Sequence, residues 1–456
     1  MKMGGQSKNL TEEQRKSVIS KVRQRRNQSP RRKVKVSTHK EQKKADFSEL
    51  PGFKDMQTQK VFADFIEIEN PFFRTHESRA SAETTIGGNT VINFASYDYL
   101  GLNGHPAVQI AAKEAIDRYG ISASASRIVG GERPIHRTLE NKVAEIYGTE
   151  DAVVFVSGHA TNVSTIGQIM QPDDLIIHDA FIHNSILMGI KLSGANQKSF
   201  RHNDIDNLEL LLASQTDRTG QVLVVVEGIY SMDGDYPDLP RILALKKKYN
   251  FWLMVDEAHA LGVLGKTGKG LAEHFEIDPS LVDIWMGTFS KTLAGCGGYI
   301  AGSRDLTDYI KFSASGFVYS VGMPPPIASS VCRAIEIMLD QPDRVQRLQA
   351  NGKYFVDAVK KAGFDTGASE GYAVVPIMIG DSIKATVLAS KLLGNGVNVL
   401  PIIYPAVSES AARLRFFISS EHTKEHLESA IERLQLASQL YEENPISVEN
   451  LAKLLL

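Results

Sequence analysis

At 456 residues, 43% of them apolar, the chain is long enough for two compact domains and has an ordinary globular composition. No apolar run approaches the roughly 18 residues of a membrane span. Two cysteines, Cys296 and Cys332, argue against a disulfide framework and a cysteine-built zinc site. No metal is expected, and the expected setting is the cytoplasm. Charge is uneven: residues 1–45 hold 15 Lys+Arg and 3 Glu, net +12, leaving 51 − 15 = 36 basic and 53 − 3 = 50 acidic residues, net −14.

Residues 1–50 include Arg23-Gln24-Arg25-Arg26 and Arg31-Arg32-Lys33. They are too poor in apolar side chains to build a core, and read as a basic disordered arm or linker. Docking to an acidic partner protein is the functional alternative, and no nucleic-acid partner is expected. Residues 51–95 read as an N-terminal segment packing on a small domain. Residues 96–325 read as a large domain, 326–440 as a small C-terminal domain and 441–456 as a tail. An amphipathic helix is predicted over 107–119. Short apolar runs at 152–156, 175–177, 222–226, 251–255 and 298–301 alternate with helical patterns such as 205–213 and 239–249. Continuous apolar strands separated by helices predict an α/β fold, its mostly parallel sheet sandwiched by helices. After Met323-Pro324-Pro325-Pro326 the rhythm changes. Helices near 327–340, 343–362 and 384–394 accompany strands near 372–379, 397–400 and 413–418, as in a smaller α+β domain. The tail predicts a short capped helix after Pro445.

Ligands of open parallel sheets sit at the carboxyl ends of the strands. The first predicted strand leads into Ser157-Gly158-His159-Ala160-Thr161-Asn162, where a helix N-terminus can hold a phosphate. The second leads to His183, which can lie flat on a planar ring, and the third, through Glu227-Gly228-Ile229-Tyr230, to Ser231, a donor for a phenolic oxygen. The next ends in Asp256-Glu257-Ala258-His259, and one step later come Thr288, Ser290 and Lys291. A lysine in a small-residue loop can hold pyridoxal phosphate as a Schiff base, and a buried carboxylate can keep its pyridine nitrogen protonated. Five strand ends thus supply partners for phosphate, ring face, phenol, ring nitrogen and aldehyde. Asp256-Glu257-Ala258-His259 also matches a helicase metal box, with Gly265-Lys266-Thr267 mimicking a P-loop. There the order is reversed, and Ala260 stands where the first P-loop glycine belongs. A non-catalytic scaffold on the same fold is the remaining alternative.

On these residues the chain resembles the α-oxoamine synthases, fold-type I pyridoxal phosphate enzymes, over about residues 70–438. The specific pieces are Ser96-Tyr97-Asp98-Tyr99-Leu100-Gly101-Leu102, the Glu227–Asp235 segment, Asp256–His259, Gly287-Thr288-Phe289-Ser290-Lys291 and Leu414-Arg415-Phe416 followed by Glu421-His422-Thr423. The resemblance implies a decarboxylative Claisen condensation of a small amino acid with an acyl thioester. Its acyl carrier would be coenzyme A or a carrier protein, and its product an α-amino ketone. Lys291 would hold the cofactor and act as base at Cα, Asp256 would pair with the pyridinium, and His183 would stack on the ring. Ser231 and His259 would contact the phenolic oxygen. Gly158, His159 and Thr288, with Ser157 and Ser290 beside them, would hold the phosphate, and Arg415 the amino-acid carboxylate. Ser320 and Val321 match a segment that reaches the phosphate from the other subunit of a homodimer, so the active site would be shared. Tyr97, Ser126 and Arg127, placed at the substrate side, are similar to residues of serine palmitoyltransferases. Serine is therefore the favoured amino acid, then alanine or glycine. An activity of the 8-amino-7-oxononanoate synthase or 2-amino-3-ketobutyrate CoA ligase type is the alternative.

Overall fold

The computed structural model describes residues 46–65, 70–215, 219–443 and 445. Nearly all of the expected basic arm and the predicted C-terminal helix lie outside the described residues. A helix spans Pro51–Phe65, and a boundary between two compact units falls between Val61 and Phe62.

A hairpin of β1 (Glu83–Ile86) and β2 (Asn89–Asn93) opens the second unit. Seven strands then build the large sheet: β3 (Asp151–Phe155), β4 (Leu175–Asp179), β5 (Asn196–Phe200), β6 (Val222–Glu227), β7 (Trp252–Asp256), β8 (Ile284–Thr288) and β9 (Gly298–Gly302), in the order β3-β9-β8-β7-β6-β4-β5. Strands β4 to β8 pair parallel, while β9 runs antiparallel to both β8 and β3. The reversal follows from chain length. The connection 289–297 is shorter than the roughly dozen residues a parallel crossover needs, so the chain turns back directly. That short return is the loop that carries Lys291.

Burial explains the continuous apolar runs. Along β6, Val224 and Val226 pack into one core cluster, while Leu223 and Val225 pack into the other. In the same way β7 sends Leu253 and Val255 to the first cluster and Met254 to the second. Both sheet faces are therefore covered, and alternation with polar residues is not required. On the second face lie helices 158–169, 184–193 and 304–313, which contribute Ile166, Ile186, Ile190 and Ile310. Strand β5, Asn196-Gln197-Lys198-Ser199-Phe200, is a polar edge strand that, among the described residues, pairs only with β4. Its residues form no apolar run that would mark it as a strand in the sequence.

Beyond helix Pro325–Asp340, helix Pro342–Lys361 leads to β10 (Val374–Met378), followed by β11 (Val397–Asn398), β12 (Leu400–Ile402) and β13 (Arg413–Phe417). Strand β13 lies between β10 and β12, antiparallel to each, and β11 joins β2 in parallel. Helix Lys424–Glu443 closes the described chain, apart from Pro445. Among the described residues no helix is long and apolar enough to cross a membrane, and no cluster of His, Cys, Asp and Glu could hold a metal ion.

Candidate active site

A cavity of about 250 Å³ opens at the carboxyl ends of β3, β4, β6, β7 and β8. Tyr97, Ser157, Gly158, His159, His183, Asp256, His259, Thr288, Ser290 and Lys291 all line it, together with Asn162, Ser185, Glu227 and Cys296. A roomier cleft of about 560 Å³, lined by Trp252, Ile284 and Gly302, lies at the other end of these strands and lacks this chemistry.

Ser157 caps helix 158–169, its hydroxyl accepting from Ala160 N at 3.3 Å. A Cβ on Gly158 would stand 2.7 Å from Thr288 Oγ1. The glycine lets helix and loop meet closely and leaves the first helical N–H groups open to an anion. Thr288 Oγ1 donates to Gly297 O at 2.7 Å and accepts from Ser290 N at 3.2 Å. Phe289 N donates to Gly297 O at 2.9 Å and Gly295 N to Phe289 O at 2.8 Å, closing the lysine loop. Lys291 Nζ lies 5.8 Å from the centroid of the Tyr97 ring. Burial pushes the Lys291 ammonium down to about 8, against the opposing pull of Asp256 and Glu227. An amine so poised is a usable nucleophile near neutral pH.

Asp256, at the end of β7, is 3% exposed. Its Oδ2 accepts from Asn162 Nδ2 at 2.8 Å and its Oδ1 from Ala258 N at 2.9 Å. The same Asn162 nitrogen donates to Ser185 Oγ at 2.9 Å, and Ser185 Oγ lies 2.7 Å from His183 Nδ1. Ser185 N–H also points at that nitrogen, at 3.2 Å. An amide can only donate, so Nδ1 is the unprotonated nitrogen of a neutral ring. Burial, with Lys291 and His159 nearby, favours that neutral ring by lowering its pKa. A directed run of hydrogen bonds thus ties the ring-stacking candidate to the carboxylate. Glu227, the partner of Asp256 across the sheet, is held well above the usual carboxylate range, first by burial and then by Asp256.

Arg415 on β13 donates from Nη1 to Ser231 O at 3.0 Å and to Met232 Sδ at 3.2 Å. Its guanidinium lies 4.6 Å over the Phe417 ring, against which Tyr97 packs edge-on at 4.8 Å. Its Nε is buried without a partner, and among the described residues no carboxylate lies within ion-pair distance. The neighbouring Arg413, in contrast, is paired with Asp233 at 2.8 Å. Arg415 is the cation left for an incoming carboxylate.

Five of the sequence candidates are not among the residues lining the cavity: Arg415 and the buried Ser231, joined through the Ser231 carbonyl, and Ser126, Arg127 and Ser320. Arg127 is buried between Glu132 and Glu140, with contacts of 2.5 Å to each, and Ser126 caps its short helix. Ser320 does not line this cavity; its neighbours Tyr319 and Val321 are exposed. Asn162, Ser185 and Tyr99 escaped assignment in the sequence, although Asn162 and Tyr99 stand inside segments already singled out. Asn162 meets Asp256, and Tyr99 meets His259, from remote parts of the chain, so local spacing carried no signal for those two.

The family profile for class I and II aminotransferases matches residues 89–434. An 8-amino-7-oxononanoate synthase of Alkaliphilus metalliredigens is 38% identical over 78% of this chain and 90% of its own length. The 4-hydroxy-2,2'-bipyrrole-5-methanol synthase PigH of a Serratia strain is 39% identical over 74% of this chain, which spans 51% of that protein. Among solved structures, a serine palmitoyltransferase of S. paucimobilis with a bound pyridoxal phosphate–myriocin aldimine superposes with a TM-score of 0.83 at 27% identity, covering 87% of this chain and 99% of its own. An 8-amino-7-oxononanoate synthase from Francisella tularensis gives 0.67 at 26% identity, covering 77% of this chain and 99% of its own.

The residues present fit pyridoxal phosphate. A lysine with a lowered pKa faces a buried carboxylate, a helix N-terminus opens beside them, and an unpaired arginine donor lies close behind. Sequence, fold and site agree: the chain belongs to the α-oxoamine synthase family, fold-type I acyltransferases that depend on pyridoxal phosphate.

Proposed function

We propose that the chain condenses alanine with an acyl thioester, releasing carbon dioxide and a free thiol and giving an α-amino ketone. The observation that carries this reading is the 36–39% identity to 8-amino-7-oxononanoate synthases over most of their length. That product name places an amine beside a terminal methyl group and a ketone next to it. Decarboxylated alanine supplies the first two carbons, and the thioester carbonyl becomes the ketone. Serine, favoured by Tyr97, becomes the second reading, supported by the fold likeness to serine palmitoyltransferases.

Bound pyridoxal phosphate supplies the electron sink that makes a carbanion at Cα accessible. Lys291 would hold the cofactor and, as a free amine once substrate is bound, would take the Cα proton. Asp256, fixed by Asn162 and Ala258, keeps the ring nitrogen protonated. His183 presents its face, and Ser231 and His259 donate to the phenolic oxygen. Gly158, His159 and Thr288, beside Ser157 and Ser290, hold the phosphate. Arg415 orients the amino-acid carboxylate until it leaves as carbon dioxide. A carbon–carbon bond forms from Cα to the thioester carbonyl, the carbon–sulfur bond breaks, and the thiolate takes a proton from solvent. When the carboxylate leaves as carbon dioxide its bonding pair stays at Cα, which takes a proton back from Lys291.

The exposed Tyr319 and Val321, away from this chain's own cavity, support a homodimer in which Ser320 reaches the partner's phosphate site. The division into a large domain and a small one, with Tyr97 at the amino-acid pocket, belongs to the same proposal. So does a cytoplasmic setting, with coenzyme A or a carrier protein bearing the acyl group. The test is thiol release from a fixed acyl-CoA with alanine, serine and glycine in turn. The highest kcat/KM is expected with alanine; a preference for serine of about tenfold or more would transfer the assignment to the second reading.

A further inference from the structure

We propose that Tyr99 is a positioning residue: its hydroxyl donates to His259 Nδ1 and so sets the ring proton on Nε2, the nitrogen left to face the cofactor's phenolic oxygen. The inference rests on the assignment of His259 to that oxygen and specifies how the residue performs it.

The two side chains meet at 2.7 Å between Tyr99 Oη and His259 Nδ1. Tyr99 is 0% exposed and His259 5%, so each polar atom depends on protein partners. Among the described residues His259 is the one hydrogen-bond partner of the Tyr99 hydroxyl. If Nδ1 carried the proton, it would donate to the phenol oxygen and leave the phenolic O–H buried with no acceptor. If the phenol donates, both atoms of the contact are satisfied, and the ring proton lies on Nε2. His259 lines the cavity, and among the described residues its Nε2 has no hydrogen-bond partner. Protonation of both nitrogens is opposed by burial, then by Lys291 and Arg415, which hold His259 well below the usual histidine range. Burial likewise keeps Tyr99 a neutral phenol.

The surroundings hold this geometry. Ser420 N donates to the Tyr99 carbonyl at 2.7 Å, and Tyr99 N donates to Tyr97 O at 2.8 Å. Phe417 lies parallel to the His259 ring, 13° between planes at 6.3 Å. Tyr99 is thereby fixed to the segment following β13, the strand that carries Arg415. A neutral imidazole with a predetermined donor can stabilise negative charge on an oxygen without reorganising when the charge develops.

The test is nitrogen NMR of the protein labelled with [15N]histidine, cofactor-free and reconstituted with pyridoxal phosphate, using His259→Gln only to assign the resonance. In the wild-type protein His259 is expected as one tautomer, Nδ1 unprotonated and Nε2 protonated. Tyr99→Phe is expected to lose that single tautomer and to bind the cofactor about two- to tenfold more weakly, the loss of one neutral hydrogen bond. A protonated Nδ1 in the wild-type protein, or an unchanged tautomer in Tyr99→Phe, would overturn the proposal, and the first result needs no variant to fold. Reconstitution should move the Nε2 resonance. An Nε2 resonance indifferent to the cofactor would instead remove His259 from the phenolic oxygen, a failure distinguishable from that of the Tyr99 bond.

Discussion

Arg415→Lys keeps the positive charge on β13 and removes the planar fork, which makes it an incisive perturbation of the amino-acid site. In the structure Nη1 is occupied by Ser231 O and Met232 Sδ, while Nε is buried and unpaired. A carboxylate arriving at the free edge would gain a charge-assisted hydrogen bond from Nε that a lysine cannot reproduce in the same geometry. One such bond is worth about 1.5–3 kcal/mol, which corresponds to a loss of about 10- to 150-fold in affinity. The assay is titration of the cofactor's visible band with the amino acid, without thioester. Arg413→Lys is the control. Arg413 is already committed to Asp233 and to Met232 O, each at 2.8 Å, so its loss should weaken folding and leave amino-acid affinity within about twofold. Equal affinities for wild type and Arg415→Lys, or a larger loss in the Arg413 control, would refute the argument.

Three other outcomes are expected. With the Lys291 pKa lowered from 10.5 to about 8, reconstitution of the cofactor-free protein should accelerate about tenfold per pH unit below 8 and level off above it. The same shift makes the buried ammonium a full cost to folding below pH 8, relieved as pH rises toward 10.5, because the folded protein then releases a proton that the unfolded chain retains. A pH-independent reconstitution rate would place the amine outside this environment. Glu140→Gln should destabilise the fold by about 3 kcal/mol in urea unfolding, because it strips a charge partner from the buried Arg127. The figure is the low end for breaking a buried pair, since Glu132 remains at 2.5 Å. A change in amino-acid affinity without a change in stability would restore Arg127 to substrate binding.

The apolar runs of β6 and β7 were legible because strands covered on both faces need no polar residues, and the chain between them is helical. The carboxyl-end rule then brings Gly158, His183, Asp256 and Lys291 to one place from sequence alone. Strand β5 was invisible because an edge strand can be as polar as Asn196-Gln197-Lys198. The reversed β9 looked like another parallel strand, since an apolar run carries no direction; the short connection 289–297 was the overlooked clue. Asn162 meets Asp256 across 94 positions of sequence and Tyr99 meets His259 across 160, distances at which spacing says nothing about contact. For Arg127, a motif likeness suggested the substrate, whereas Glu132 and Glu140 supply a complete set of local partners.

The central claim is that Lys291 and its surroundings drive a decarboxylative condensation. The most direct test follows thiol and carbon dioxide together, with alanine and an acyl-CoA, in the wild-type protein and in Lys291→Ala. Equal amounts of both from the wild type, and neither from the variant, are predicted. Turnover that survives in Lys291→Ala, or thiol release unaccompanied by carbon dioxide, would contradict the account.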